Sequence, residues 1–130
     1  MHRNKHGREY YAFIGGGVEP DETPEQAVIR EVYEESSLRV RLGKLLYELR
    51  QEDGGIQYFY LCHYVSGEPT IHKASDEYKA NIVGENTYQP LWVPLQDIDS
   101  LVLYPVSLKQ RIEQDIRNNF SDCPINLPAN

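Results

Sequence analysis

Apolar positions along this chain change their period several times, and each change predicts an element. Glu9 followed by Tyr10-Tyr11-Ala12-Phe13-Ile14 is short and β-rich, which predicts a strand running into Gly15-Gly16-Gly17. Beyond the glycines the period lengthens. Ala27, Val28 and Val32, flanked by Ile29 and Tyr33, form one stripe of a helix from Thr23 to about Ser36. Its start is signalled chemically: the Thr23 hydroxyl can accept a backbone N–H, Gln26 can reach back, and Pro24 lacks only an N–H that has no partner there. From Leu38 to about Glu52 apolar and charged residues alternate loosely, through Val40, Leu42, Leu45, Tyr47 and Leu49. Asp53-Gly54-Gly55 is a hairpin turn, and Ile56 to Val65 is a second strand that should pair antiparallel with the first. His63 reads as a packed side chain of that strand.

The second half is patterned more weakly. Ser66 to Gln89 reads as a long loop with one short strand around Pro69 to Lys73, and loops of this length are usually functional or mobile. Pro90 to Leu95, with Trp92 and Val93, reads as a strand, and Asp97 begins a short helical turn through Leu101. Pro105 opens a helix to about Asn119, with Val106, Leu108, Ile112 and Ile116 on one side and Lys109, Arg111, Glu113 and Arg117 on the other. Met1 to Arg8 is short, polar and basic, and Ser121 to Asn130 is polar with two prolines and predicted to fray. The order strand, helix, paired strands, loop, strand, helix suits an α/β sandwich with a mixed sheet between helices. It predicts one domain over 1–120 and a flexible tail over 121–130.

Composition narrows the classes. With 40% hydrophobic and 11% aromatic residues the chain reads as globular, not disordered. No apolar run approaches the roughly 18 residues of a membrane span, and the N-terminus lacks the apolar core of a signal peptide. Cys62 and Cys123 are isolated, with neither CxxC nor zinc spacing, so a reduced, cytoplasmic setting is expected. A net charge of −7 argues against a nucleic-acid polymer as partner. A nucleotide-like substrate stays open, because a metal can bridge acidic protein and acidic phosphate.

Charge placement on the first helix is the strongest chemical signal. Glu19, Asp21, Glu22, Glu25, Glu31, Glu34 and Glu35 crowd one stretch in which Arg30 is the only base. Glu31 lies three residues from Glu34 and four from Glu35, so the three project from one face and repel by a few tenths of a kcal/mol per pair. They also lie near the helix C-terminus, where the macrodipole disfavours anions by roughly 0.3–1 kcal/mol each. Bound Mg²⁺ or Mn²⁺ would reverse those penalties. A solvated acidic face is the alternative on the cluster alone.

The spacing shifts the balance toward a metal site. Gly16, five residues, Glu22, seven residues, Arg30-Glu31-Val32, one residue, Glu34-Glu35, one residue, Ser37-Leu38 resembles the Nudix box, Gly-x5-Glu-x7-Arg-Glu-U-x-Glu-Glu-x-Gly-U. Only the last glycine departs, as Ser37. A non-glycine residue in a left-handed helix cap costs on the order of 1 kcal/mol, which bears on the turn after the helix more than on the chemistry. The resemblance covers about residues 3 to 117. Family members normally carry a strand before the segment matching Arg3-Asn4-Lys5, so the family's first strand is expected to be missing or its edge covered by another chain.

The resemblance implies a Nudix-type α/β/α sandwich and a metal-dependent hydrolase cutting the diphosphate linkage of a nucleoside diphosphate joined to another group. Glu31, Glu34 and Glu35, with the Gly15 carbonyl, would hold Mg²⁺ or Mn²⁺. Glu31, Glu34 and Arg30 form the catalytic core of the box, with Glu31 the first choice for the base that deprotonates water. Arg30's planar fork also suits an ion pair with Glu22, so Glu22 and Gly16 support the box. A further loop acid is implied, with Glu77 and Glu85 as candidates. Tyr58, Tyr60, Tyr88 and Trp92 are candidates for stacking on a base, or are strand packing. A homodimer is left open, as is a non-catalytic nucleotide-binding module on the same fold. Isopentenyl-diphosphate isomerase chemistry lacks a constellation around Cys62. Calcium binding lacks an Asp-x-Asp-x-Asp-Gly loop.

Overall fold

The computed structural model describes residues 1–73, 75–84 and 86–129. Its elements in chain order are β1 (His2–Lys5), β2 (Arg8–Ala12), α1 (Pro24–Ser36), β3 (Arg39–Arg50), β4 (Ile56–Ser66), α2 (Asp76–Val83) and β5 (Asn86–Gln89). A 3-10 turn (Leu95–Ser100), β6 (Leu103–Tyr104), α3 (Val106–Asn118) and β7 (Ile125–Leu127) follow. Two mixed sheets result. One has the order β5-β1-β2-β6, antiparallel except for the β2–β6 pair, and the other has the order β4-β3-β7, with β7 parallel to β3.

The core lies between the sheets and α3. Leu46, Tyr47, Ile98, Leu103, Leu108 and Ile112 are buried together, with Tyr11, Phe13, Phe59, Ile116 and Ile125 packed around them. β3 supplies much of this because its apolar positions Tyr47 and Leu49 turn inward. Val106, read as part of the apolar side of α3, is exposed instead. Among the described residues no helix is long and apolar enough to cross a membrane.

Several sequence expectations are corrected. The basic segment Met1 to Arg8 contains β1, which turns at His6-Gly7, both with positive φ, into β2. No strand forms around Pro69 to Lys73. That segment instead covers the end of α1, where the N–H groups of Thr70 and His72 donate to the carbonyls of Ser36 and Glu34 at 2.9 and 3.0 Å. The long loop holds α2, capped by Ser75, and β5. Pro90 to Leu95 is not a strand: its place in the sheet is taken by Asn86–Gln89, whose N–H groups are not removed by proline. The segment predicted to fray carries β7, paired with β3 over Tyr47 to Leu49.

Candidate active site

Local rules place α1. Thr23 and Gln26 form the reciprocal capping box the sequence predicts, with Gln26 N–H donating to Thr23 Oγ1 at 3.2 Å and Thr23 N–H donating to Gln26 Oε1 at 3.0 Å. Ala27 is buried, Val28 and Val32 are half-buried and Ile29 is exposed, so the apolar stripe is thin. The deepest residues of the helix are polar. Glu35 is 2% exposed and Ser36 is 0% exposed. At the end of the helix Ser37 takes the left-handed conformation usual for glycine, φ 62°. Its hydroxyl donates to Thr70 O at 2.7 Å and accepts from Thr70 Oγ1 at 3.1 Å.

Arg30 organises the exposed side of the site. It grips Glu22 with two parallel bonds, Nε to Oε2 at 2.7 Å and Nη2 to Oε1 at 2.9 Å. Nη2 also donates to Gly17 O at 3.0 Å, which ties the glycine loop to the helix. Nη1 reaches Glu31 at 2.8 Å and Glu34 at 3.2 Å. One guanidinium thus neutralises three box glutamates. Its bonds hold the Glu22 carboxyl below the usual carboxylate range. The same partners raise Arg30 above its ordinary value.

Glycine is required where the loop crosses the helix. A Cβ on Gly16 would lie 2.4 Å from Glu31 Oε1, so any side chain there displaces that carboxylate. One residue earlier, Gly15 N–H donates to Glu35 Oε2 at 3.1 Å.

Glu35 has a different neighbourhood from Glu31 and Glu34. Burial first, then the Glu77 carboxylate of α2, push its carboxyl up to about 8. Burial is likewise the main cause holding Glu31 above the ordinary range, with Glu34 and Glu77 adding to it. Of the two loop acids that sequence reasoning left open, Glu77 lies near Glu35 and Glu31, while Glu85 lies outside the described residues. The structure does not gather Glu31, Glu34 and Glu35 at one point: Arg30 draws the first two aside, and among the described residues no three metal-binding side chains are grouped for an ion. Of the aromatic candidates, Tyr60 donates to Glu25 at 3.1 Å, Trp92 is 61% exposed against the Tyr64 ring, and Tyr58 is exposed on β4.

A family model described as the NUDIX domain matches residues 1–114. The chain belongs to the Nudix family. Among curated proteins this Nudix chain is similar to diphosphoinositol polyphosphate phosphohydrolase 3-alpha of Mus musculus, 56% identical over 32 residues, 25% of this chain and 20% of the relative. The 3-alpha protein of Homo sapiens is 45% identical over 49 residues, 36% of this chain and 30% of the relative. These matches thus span a minor part of the relatives' length. The solution structure of the E. coli ORF135 protein superposes with a TM-score of 0.59 at 22% identity, covering 88% of this Nudix chain and 77% of that one. The crystal structure of an ADP-ribose pyrophosphatase from Streptococcus suis superposes with a TM-score of 0.62 at 16% identity, covering 98% and 87%. At these identities the two structures speak to the fold alone.

Proposed function

We propose that this Nudix protein is a metal-dependent hydrolase that cleaves the diphosphate linkage of a nucleoside diphosphate joined to another group. The observation that carries the reading is the pairing of buried Glu35 with Glu77 beside Gly15, next to Glu31 and Glu34. A buried carboxyl held above the ordinary range by burial first and by a neighbouring carboxylate second offers, with that neighbour, oxygen donors suited to a hard cation. Carboxylate and carbonyl oxygens are the donors Mg²⁺ or Mn²⁺ takes: Glu35 and Glu77, with the Gly15 carbonyl, would hold the ion once Glu31 and Glu34 turn from Arg30 to complete the set, and bound there it would supply neutralisation of phosphate charge.

The chain's own groups do the rest. Glu31, above the ordinary carboxylate range, is our choice for the carboxylate that takes the proton of the attacking water. Arg30 acts through the glutamates as a positioning residue, and Gly16 leaves the space Glu31 occupies. Diphosphate hydrolysis needs little covalent chemistry from the protein, so this holding and orienting is the main contribution.

The test is release of phosphate and nucleotide across nucleoside triphosphates, dinucleoside polyphosphates, ADP-ribose, nucleotide sugars and NADH, each with Mg²⁺, Mn²⁺ or EDTA. Cleavage of one class that EDTA abolishes is expected. Glu34→Gln should remove most of that turnover at an unchanged melting temperature, because it exchanges one carboxylate oxygen at nearly constant volume. Equal loss of folding and turnover would make Glu34 structural, and silence across the panel would count against the hydrolase.

A further inference from the structure

The first sheet has two unlike faces. Residues paired across strands share a face, so Tyr11 with His2, and Leu103 with Tyr11, belong to one side, and both Tyr11 and Leu103 belong to the core. The opposite side carries Arg3 opposite Tyr10 and Tyr88, Lys5 opposite Arg8 and Asn86, and Tyr104 at the end; Arg8 is exposed and the others are half-buried. In a chain of net charge −7 this is a concentration of positive charge, and no carboxylate forms an ion pair with Arg3, Lys5 or Arg8 among the described residues.

The tyrosines hold the guanidiniums in place. Arg3 lies over the Tyr88 ring at 5.5 Å, and Arg8 over Tyr10 at 5.8 Å and Tyr104 at 5.2 Å, with Arg8 also donating to the Tyr104 hydroxyl. One donor is left over: Arg3 Nε is buried and finds no acceptor among the described residues. The face also leads to the candidate site. β2 runs from it toward Gly15, whose N–H meets Glu35, and Tyr10 lies five residues before that glycine, at most about 17 Å at the usual rise of a strand.

We propose that this basic face is a phosphate subsite, binding a phosphate of the substrate that is not part of the bond cut. Guanidinium forks match phosphate oxygens, and the aromatic faces beside them are already covered by cations, which disfavours a stacked base. The proposal rests on the hydrolase reading for its substrate. It makes the substrate an extended, multiply phosphorylated molecule, with the acidic cluster at one end and the basic face beyond it.

The experiment is calorimetric titration of inorganic tripolyphosphate into the intact protein in EDTA, where the acidic cluster repels the probe and turnover is absent. Wild type should bind with an affinity that falls steeply with salt. Arg3→Gln and Arg8→Gln, each the loss of one charge, should each weaken binding roughly tenfold, while Arg117→Gln, an equal charge loss on the exposed side of α3, should not. Arg8 is exposed, so the second variant keeps its fold, and a melting curve checks the first. No binding by wild type, or equal weakening by Arg117→Gln, overturns the subsite. A protein that binds the probe but cleaves nothing in the panel sinks the hydrolase reading and leaves the subsite standing.

Discussion

Glu31 stands where a side chain on Gly16 would go, and Glu35 lies among groups that favour its protonated form. Both facts make single residues carry the site, and the second has a pH signature. A carboxyl raised from 4.5 to about 8 keeps its proton in the fold but loses it in the unfolded chain. Between those values the native state binds more protons, so Glu35's contribution to stability is present at low pH and is lost as pH rises toward 8. The Met1 amino group, pushed down to about 6 mainly by burial, titrates in the same window with the opposite sign, so the comparison must be with a variant. In EDTA, the melting temperature of Glu35→Gln minus that of wild type should grow from pH 5 to pH 8. A constant difference would show that Glu35 is ionised throughout. The sequence spelled out the box glutamates because their spacing is rigid. It did not place Glu77 beside Glu35, because that nearness depends on how α2 docks.

At the scale of elements, α1 is the best written and its end the least orthodox. Ser37 at φ 62° costs on the order of 1 kcal/mol relative to glycine, yet its hydroxyl makes two bonds to Thr70, each contributing about 0.5–1.5 kcal/mol. The two effects offset, so Ser37→Gly should leave stability within about 1 kcal/mol of wild type. Ser37→Ala loses the bonds and keeps the strain, so urea unfolding should find it the less stable by about 1 kcal/mol. Alanine matching glycine would mean the left-handed cap carries no strain. The departure from the family glycine is therefore coupled to the strap at Thr70 and His72, which no local pattern announces. The missed elements share one physical reason. β1 is a central strand written in polar and basic residues, and β5 is four residues without an apolar run. They pair with each other across most of the chain, Arg3 with Tyr88, and no local pattern announces so distant a neighbour.

At the scale of the whole molecule, the second sheet and α3 are joined by a polar contact inside an apolar core. Tyr47, 2% exposed on β3, donates to Asp115 Oδ2 at 2.6 Å, and Arg111 holds the same carboxylate at 3.1 Å. The apolar periods of β3 and α3 were legible, and they place the two elements face to face. Asp115 was not, because an acid four residues from Arg111 reads as a surface pair until the other side of the sandwich is known. Tyr47→Phe keeps the ring and leaves the buried carboxylate one donor short, which should cost about 1–3 kcal/mol in urea unfolding. The contact lies on the α3 side of β3, away from the carboxylates that line α1, so turnover below the melting transition should stay at the wild-type rate. A drop in turnover without a loss of stability would mean that the core and the α1 glutamates are coupled. A loss of stability alone would mean that the sandwich holds α1 in place without taking part in its chemistry.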